Sequence, residues 1–223
     1  VDPTLDVDGY DAKYKLQILT GHSYGVFTRP HDVLNFGIRY ISKNDFKLAR
    51  ELNAKIKLIA HVGKISDDEV ALYVTPQLIT AEHLLYNVEN EYNGVIVEAS
   101  FSDKQLFIGK GAGGNPTGSA VLSDISAGSY EYKYEYKKNT QRKYSFTNNV
   151  NVFALISGAQ AASLRIKNVA LHRLENDSYY IQTSLDTLIK SKEEIEAKGI
   201  FVTLVADAAL QEKILSKVIE EVI

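Results

Sequence analysis

The sequence predicts an α+β fold, with a mostly antiparallel or mixed sheet and helices on one face, followed by a small C-terminal α+β domain. Three observations predict it. Two pairs of alternating segments are joined by short polar turns, Ser66-Asp67-Asp68 and Ser102-Asp103-Lys104, the pattern of adjacent antiparallel strands. Segments of helical periodicity flank those pairs. A stretch of tyrosines and charges, Tyr130 to Tyr144, then separates this region from a second set of strand and helix signals. The implied domains are residues 1–128, a linker or edge strand at 129–144, and residues 145–223.

Asp11 to about Ser23 is predicted helical, because Ala12, Leu16 and Leu19 recur at i, i+4 and i+7 as a buried stripe while Lys13 and Gln17 fall on the other side. A second helix is announced by Ser42 with Asp45 three residues on, close to a capping box, and runs through Phe46, Ala49 and Leu52 to a stop at Asn53. Ile56, Leu58, Ala60 and Val62 then alternate with Lys55, Lys57 and His61. Val70, Leu72 and Val74 alternate with Glu69 and Tyr73, giving a hairpin with one face inward. Val95 to Phe101 and Gln105 to Ile108 make the second strand pair, followed by the glycine-rich run Gly109 to Gly114. Asn115 and Pro116 have the character of an N-cap and first helical position for a helix through Ala120, Val121 and Ile125. Beyond Tyr144, strands are predicted at Val150 to Ile156, Ser178 to Thr183 and Ile200 to Ala206. Helices are predicted at Ser184 to Lys198, closed by Gly199, and at Ala208 to Val222, with Leu210, Ile214, Val218 and Val222 as the apolar face of the last one.

At 223 residues the chain can bury a core without crosslinks. It has no cysteine, which removes disulfides, cysteine-ligated zinc and thiol catalysis and suits a reducing cytoplasm. A formal charge of -3 and a pI near 6.0 carry no basic bias of the kind nucleic-acid binding exploits. The longest apolar runs, such as Gly94-Val95-Ile96-Val97, are strand-sized, far below the ~20 residues of a membrane helix, and no signal-peptide pattern opens the chain. A soluble, cytoplasmic protein is expected, with neither nucleic acid nor membrane as partner. The chain opens on Val1 and contains no methionine or tryptophan, so it reads as a fragment.

Chemistry concentrates first between Asp2 and Lys15, where the carboxylates Asp2, Asp6, Asp8 and Asp11 lie close to Lys13 and Lys15. On a helix Asp11 and Lys15 are one turn apart, so their side chains can meet. A functional reading makes Lys15 a positioned proton donor, held by Asp11 and Asp6. On spacing alone a plain surface ion pair behind an acidic loop is the better reading. Acidic loops also bind calcium, but this spacing is not that of an EF-hand. The run Gly109 to Gly114 formally completes G-x-G-x-x-G, and close glycines let backbone N–H groups approach an anion or cofactor. No βαβ continuation or ribose-binding acid follows, so the pattern by itself favours a glycine-rich turn into a helix. His22, His31, His61, His83 and His172 show no tight ligand spacing, and no metal site is expected. There is no G-x-S-x-G elbow for serine hydrolysis. In Tyr130 to Tyr144 the glutamates offset the lysines, which favours a solvated strand over a single-stranded nucleic-acid surface.

The run Asp2 to Leu16 resembles the substrate-binding motif of homoserine dehydrogenases, D-x-x-x-D-V-x-G-x-D-A-x-x-K-L, in order and spacing. Tyr24-Gly25-Val26, Asn35-Phe36-Gly37-Ile38 and Ile56-Lys57-Leu58-Ile59-Ala60 resemble the same family's progression of elements. The segment Gly109 to Asp124 is similar to its G-x-G-A-G-x-x-P-T-A-S-A-V-x-S-D, with Gly118 where alanine is usual. The resemblance covers roughly residues 1–127 and leaves out the tail. It implies that Lys15 is the general acid or base and that Asp6 and Asp11 bind substrate and hold the lysine. Gly111, Ala112 and Gly113 would then lie on the nicotinamide side, with NADP or NAD as cofactor. The activity implied is the NAD(P)-dependent interconversion of homoserine and aspartate 4-semialdehyde, a step in threonine and methionine biosynthesis. In the family a nucleotide-binding domain precedes the matched region, so this chain alone is expected to be inactive.

Other function classes stay open. Residues 145–223 could form an amino-acid-binding regulatory module, because some members of the resembled family append an ACT-like domain there. No glycine-proline effector loop is visible between Thr183 and Leu188. A noncatalytic assembly module is the other alternative. A homodimer through the sheet of the first domain is expected, because Ile59, Val95, Val97 and Ala99 make a second face apolar and the resembled family commonly pairs through such sheets.

Overall fold

The computed structural model describes residues 2–133, 143–175 and 177–218. Among these, residues 2–79 and 143–218 form one compact unit and residues 80–133 a second.

The first unit begins with the short helix α1 (Thr4–Val7) and the longer α2 (Tyr10–Tyr24), then a two-residue strand β1 (Leu34–Asn35). Helix α3 (Lys43–Glu51) has the full capping box anticipated at Ser42 and Asp45, each side chain bonded to the other's backbone N–H. Strands β2 (Lys55–Lys64) and β3 (Glu69–Ile79) pair antiparallel along their whole length, from Lys55 opposite Ile79 to Lys64 opposite Val70. Because β2 fills one edge of β3, the other edge is shared by three parallel partners. These are β1 at Tyr73 and Val74, β6 (Ser145–Phe146) at Glu69 and Val70, and β10 (Phe201–Leu204) at Gln77. From β10 the sheet continues antiparallel through β7 (Asn151–Ser157), β9 (Ser178–Ser184) and β8 (His172–Arg173). The α+β class with a mixed sheet is therefore what the chain adopts.

Alternate residues of each strand feed opposite faces. Ala154 and Ile156 of β7 pack with Ile181 and with Leu185, Leu188 and Ile195 of α5 (Leu185–Ala197). Phe153 and Leu155 of the same strand pack the other way, with Ala49 and Leu52 beside α3 and Leu210 and Ile214 of α6 (Ala208–Leu215). Helix α2 adds Leu16 against Leu72 and Val74. Helices thus cover both faces, where the sequence reading placed them on one. Residues 143–218 likewise do not stand apart as a C-terminal domain. β10 hydrogen-bonds to β3, and the Ser157 hydroxyl donates a short bond to the capping carboxylate of Asp45, so the two halves of the chain share one sheet and one core. The expected boundary at residue 128 instead falls inside a different unit, 80–133.

That second unit holds the hairpin β4 (Tyr92–Ala99) and β5 (Asp103–Lys110), then helix α4 (Gly114–Ser129). The helix starts one residue before Asn115, with Gly113 as its N-cap at a φ of 116° that favours glycine. No residue of 80–133 is buried.

The stripe on α2 also differs from the periodicity. Lys13, Leu16, Thr20 and Gly21 are buried, whereas Leu19 is exposed. The helix is rotated because the Lys13 ammonium finds a buried acceptor on β1. Most of the predicted linker, 134–142, and Val222 of the predicted last helix lie outside the described residues.

Candidate functional site

The acidic motif is held by the segment Asn35 to Arg39. Gly37 crosses directly beneath the turn between α1 and α2: a Cβ there would fall 2.0 Å from the Val7 carbonyl oxygen and 2.3 Å from Asp8 Cα, so only glycine fits. The Ile38 N–H donates to the Val7 carbonyl at 2.8 Å, and the Asn35 Nδ2 donates to the Asp8 carbonyl at 2.8 Å. The Arg39 guanidinium donates to both Asp8 carboxylate oxygens at 2.8 and 2.9 Å, a fork that fixes orientation as well as charge. Three successive attachments therefore define where the turn sits, and with it the start of α2.

On α2 the carboxylate of Asp11 and the ammonium of Lys15 meet at 2.6 Å across one helical turn. The Lys15 side chain is 67% exposed, so it is free to touch a ligand while Asp11 orients it. Asp6 lies on α1, exposed, and makes no ion pair with Lys15 among the described residues. The sequence thus places two of the three predicted polar groups together, and the third on the neighbouring element.

Gly111, Ala112 and Gly113 form the loop between β5 and α4, all exposed, at the N-terminal end of a 16-residue helix. A Cβ on Gly111 would overlap Asn93 Nδ2 at 1.6 Å. Free N–H groups at such a helix start suit an anionic or strongly polar partner. These three residues belong to the second unit and the Asp11–Lys15 pair to the first. No group of three or more His, Asp or Glu side chains is arranged to hold a metal ion among the described residues. No helix there is long and apolar enough to cross a membrane.

Sequence reasoning missed Lys13. Its side chain is 3% exposed, its Nζ donates to Asn35 Oδ1 at 2.7 Å, and it lies 4.8 Å from the centre of the Tyr10 ring. Burial first, and then the ammonium of Lys192, push its pKa down to about 8. Lys192, from α5, donates to the same Asn35 oxygen at 2.9 Å. A lysine two positions from Lys15 on a helix with a buried face was a weak signal for the first group. Nothing local signalled the second.

Comparison with known proteins identifies relatives of this chain. Residues 1–126 match the family model of homoserine dehydrogenase. A homoserine dehydrogenase of Mycobacterium bovis is 39% identical over 128 residues, and one of Synechocystis 42% identical over 127; each alignment takes in 56% of this chain. The chain spans only 29% of the length of either relative. Among solved structures, a homoserine dehydrogenase from Thiobacillus denitrificans shares the fold with a TM-score of 0.67 at 22% identity, over 93% of this chain and 55% of that one. The S. aureus homoserine dehydrogenase at pH 6.0 gives 0.60 at 28% identity, over 93% and 56%. The likeness of fold therefore extends well past residue 126, into strands and helices beyond the residues that the family model matches. By its sequence over more than half its length, the chain belongs to the homoserine dehydrogenase family.

Proposed function

We propose that this chain supplies the substrate-binding and proton-transfer part of an NAD(P)-dependent homoserine dehydrogenase, which interconverts homoserine and aspartate 4-semialdehyde. Because the chain spans a minor part of its relatives' length, the activity is proposed for the whole protein that contains it. The observation that carries the reading is the exposed Lys15 held at 2.6 Å by Asp11, inside the family motif.

In the oxidising direction the Lys15 amine accepts the proton of the terminal hydroxyl as hydride leaves the same carbon. In the reducing direction the ammonium returns a proton to the carbonyl oxygen. Asp11 keeps the amine on one side of its turn, and Asp6 with Asp11 offers carboxylate acceptors for the substrate's ammonium. When bound, NADP or NAD accepts or gives the hydride, which is chemistry no side chain here can supply. Gly111, Ala112 and Gly113 suit a place beside the nicotinamide, since a loop without side-chain bulk at a helix N-terminus allows close backbone approach. The lack of cysteine is compatible with a cytoplasmic site for this chemistry.

The test is steady-state kinetics of the whole protein with homoserine and each nicotinamide cofactor. Lys15→Ala is expected to lower kcat by about 10²-fold or more with the melting temperature unchanged, the usual scale for a lost acid–base group. Unchanged turnover at saturating homoserine would remove Lys15 from the proton-transfer step, and no homoserine-dependent reduction of either cofactor by the natural protein would remove the proposed function.

A further inference from the structure

Two ammonium groups converge on one neutral oxygen behind the acidic motif. Lys13 of α2 and Lys192 of α5 donate to Asn35 Oδ1 at 2.7 and 2.9 Å, and both lie against the Tyr10 ring, at 4.8 and 5.3 Å from its centre. The charged groups that bear on Lys13 are Lys192 and Glu196, both on α5, and Glu196 reaches Lys192 at 3.5 Å. Lys13 itself has no carboxylate within ion-pairing distance among the described residues. Burying a cation beside another cation is unfavourable unless donors and acceptors are fully matched, so this arrangement needs a reason other than stability.

The amide supplies one. Asn35 Nδ2 donates to the Asp8 carbonyl, in the turn between Asp6 and Asp11, while its oxygen holds Lys13, two residues before Lys15. One side chain thus ties together the turn, the inner face of α2 and the distant helix α5. A roll or slide of α2 would carry the Asp11–Lys15 pair with it, because Lys13 and Lys15 are fixed to the same helix on different sides.

We propose that Lys192 is a positioning residue for the Asp11–Lys15 pair, acting through the Asn35 amide that also holds Lys13 and the Asp8 carbonyl. The inference rests on the proposed function, and it gives residues of the C-terminal strands and helices a part in the reaction. Lys192 touches no reacting atom. It completes the set of donors that orients Asn35, and Asn35 in turn sets the register of the motif. An amide with both ends engaged can adopt only one of its two flipped orientations, and Lys192 selects the one that presents nitrogen to Asp8.

The experiment uses the whole natural protein and two readouts. In kinetics with homoserine, Lys192→Met is expected to lower kcat about tenfold with KM within about twofold, the scale of a small misplacement of a reacting group, and Lys192→Arg is expected to restore most of it. In nuclear magnetic resonance with nitrogen-labelled lysine, Lys192→Met is expected to raise the midpoint of the Lys13 titration, since a like charge is removed, and to shift the Asp8 amide and Lys15 signals. Should Lys192→Met prove unstable, Asn35→Asp serves in its place. It keeps acceptors for both lysines but loses the donor to Asp8, so the Lys13 midpoint should rise and kcat should fall. Equal loss in Lys192→Met and Lys192→Arg, or an unchanged kcat in Lys192→Met and Asn35→Asp, overturns the proposal. If the natural protein does not oxidise homoserine, the functional reading falls. The positioning is then decided by the resonances alone, and unshifted Asp8 and Lys15 signals overturn it.

Discussion

Residues 2–79 with 143–218 and residues 80–133 use the same ingredients to different ends. Both have alternating strands and a helix with apolar residues. The first region buries them on both faces of an eight-stranded sheet, through Leu72, Ile156, Ile181, Leu188 and their neighbours. The second buries none, although Val95, Val97 and Phe107 lie on one face of its hairpin and Val121, Leu122 and Ile125 along α4. A two-stranded hairpin is marginal by itself in water. Local pattern is thus enough to make an element, but a core requires partners from elsewhere in the sequence.

The largest expected effect tests that contrast directly. Leu188→Ala removes a fully buried side chain from the α5 face and is expected to cost about 2–5 kcal/mol in urea unfolding. Leu122→Ala on the exposed side of α4 is expected to stay within about 0.5 kcal/mol. Similar losses in both would mean that residues 80–133 hide a core of their own.

A smaller effect concerns Lys13, a charge placed inside the well-packed region. Its folded pKa, about 8, lies below its ordinary 10.5, so the folded chain binds fewer protons than the unfolded chain between those values. The sign follows: the penalty for burying the ammonium is full below about pH 8 and is relieved as pH rises toward 10.5. Lys13→Met is therefore expected to raise the melting temperature at pH 7 by a few degrees, about 1 kcal/mol, with the gain shrinking by pH 10. A gain of the same size at both pH values would show that Lys13 is not titrating in this window.

What the sequence revealed follows the same line between local and distant. The capping box of Ser42 and Asp45, the helix beginning near Ser184 and the β2–β3 alternation are set by neighbours and were legible. The Asp11–Lys15 pair was legible for the same reason, one helical turn being enough to bring the groups together. The burial of Lys13 was not, because its acceptor is 22 residues away, nor was Lys192, which reaches Asn35 across 157 residues. The domain boundary failed likewise. Strand β10 has an ordinary apolar sequence, and nothing within it tells that it will hydrogen-bond to β3. The Gly111 to Gly113 loop was legible as a turn into a helix, and its tie to a cofactor comes from the resemblance.

The last prediction asks what covers the apolar face of residues 80–133, and it is expected to change assembly with little effect on stability. We propose that a second copy of the chain does so. Val95 and Phe107 are directly opposed across the hairpin, Val97 stands beside them, and all three are more than two-fifths exposed. Strand β2, which carries Ile59, has no further strand beyond it among the described residues, so a sheet edge is also available for pairing. Self-complementary two-fold contact needs only one such surface, used twice. Light scattering is expected to give twice the chain mass, and Val97→Lys with Phe107→Lys to give a monomer with a melting temperature within a few degrees of the original. A natural chain that is monomeric at tens of micromolar would leave that face to a different partner. A double variant that stays dimeric would move the interface to the β2 edge.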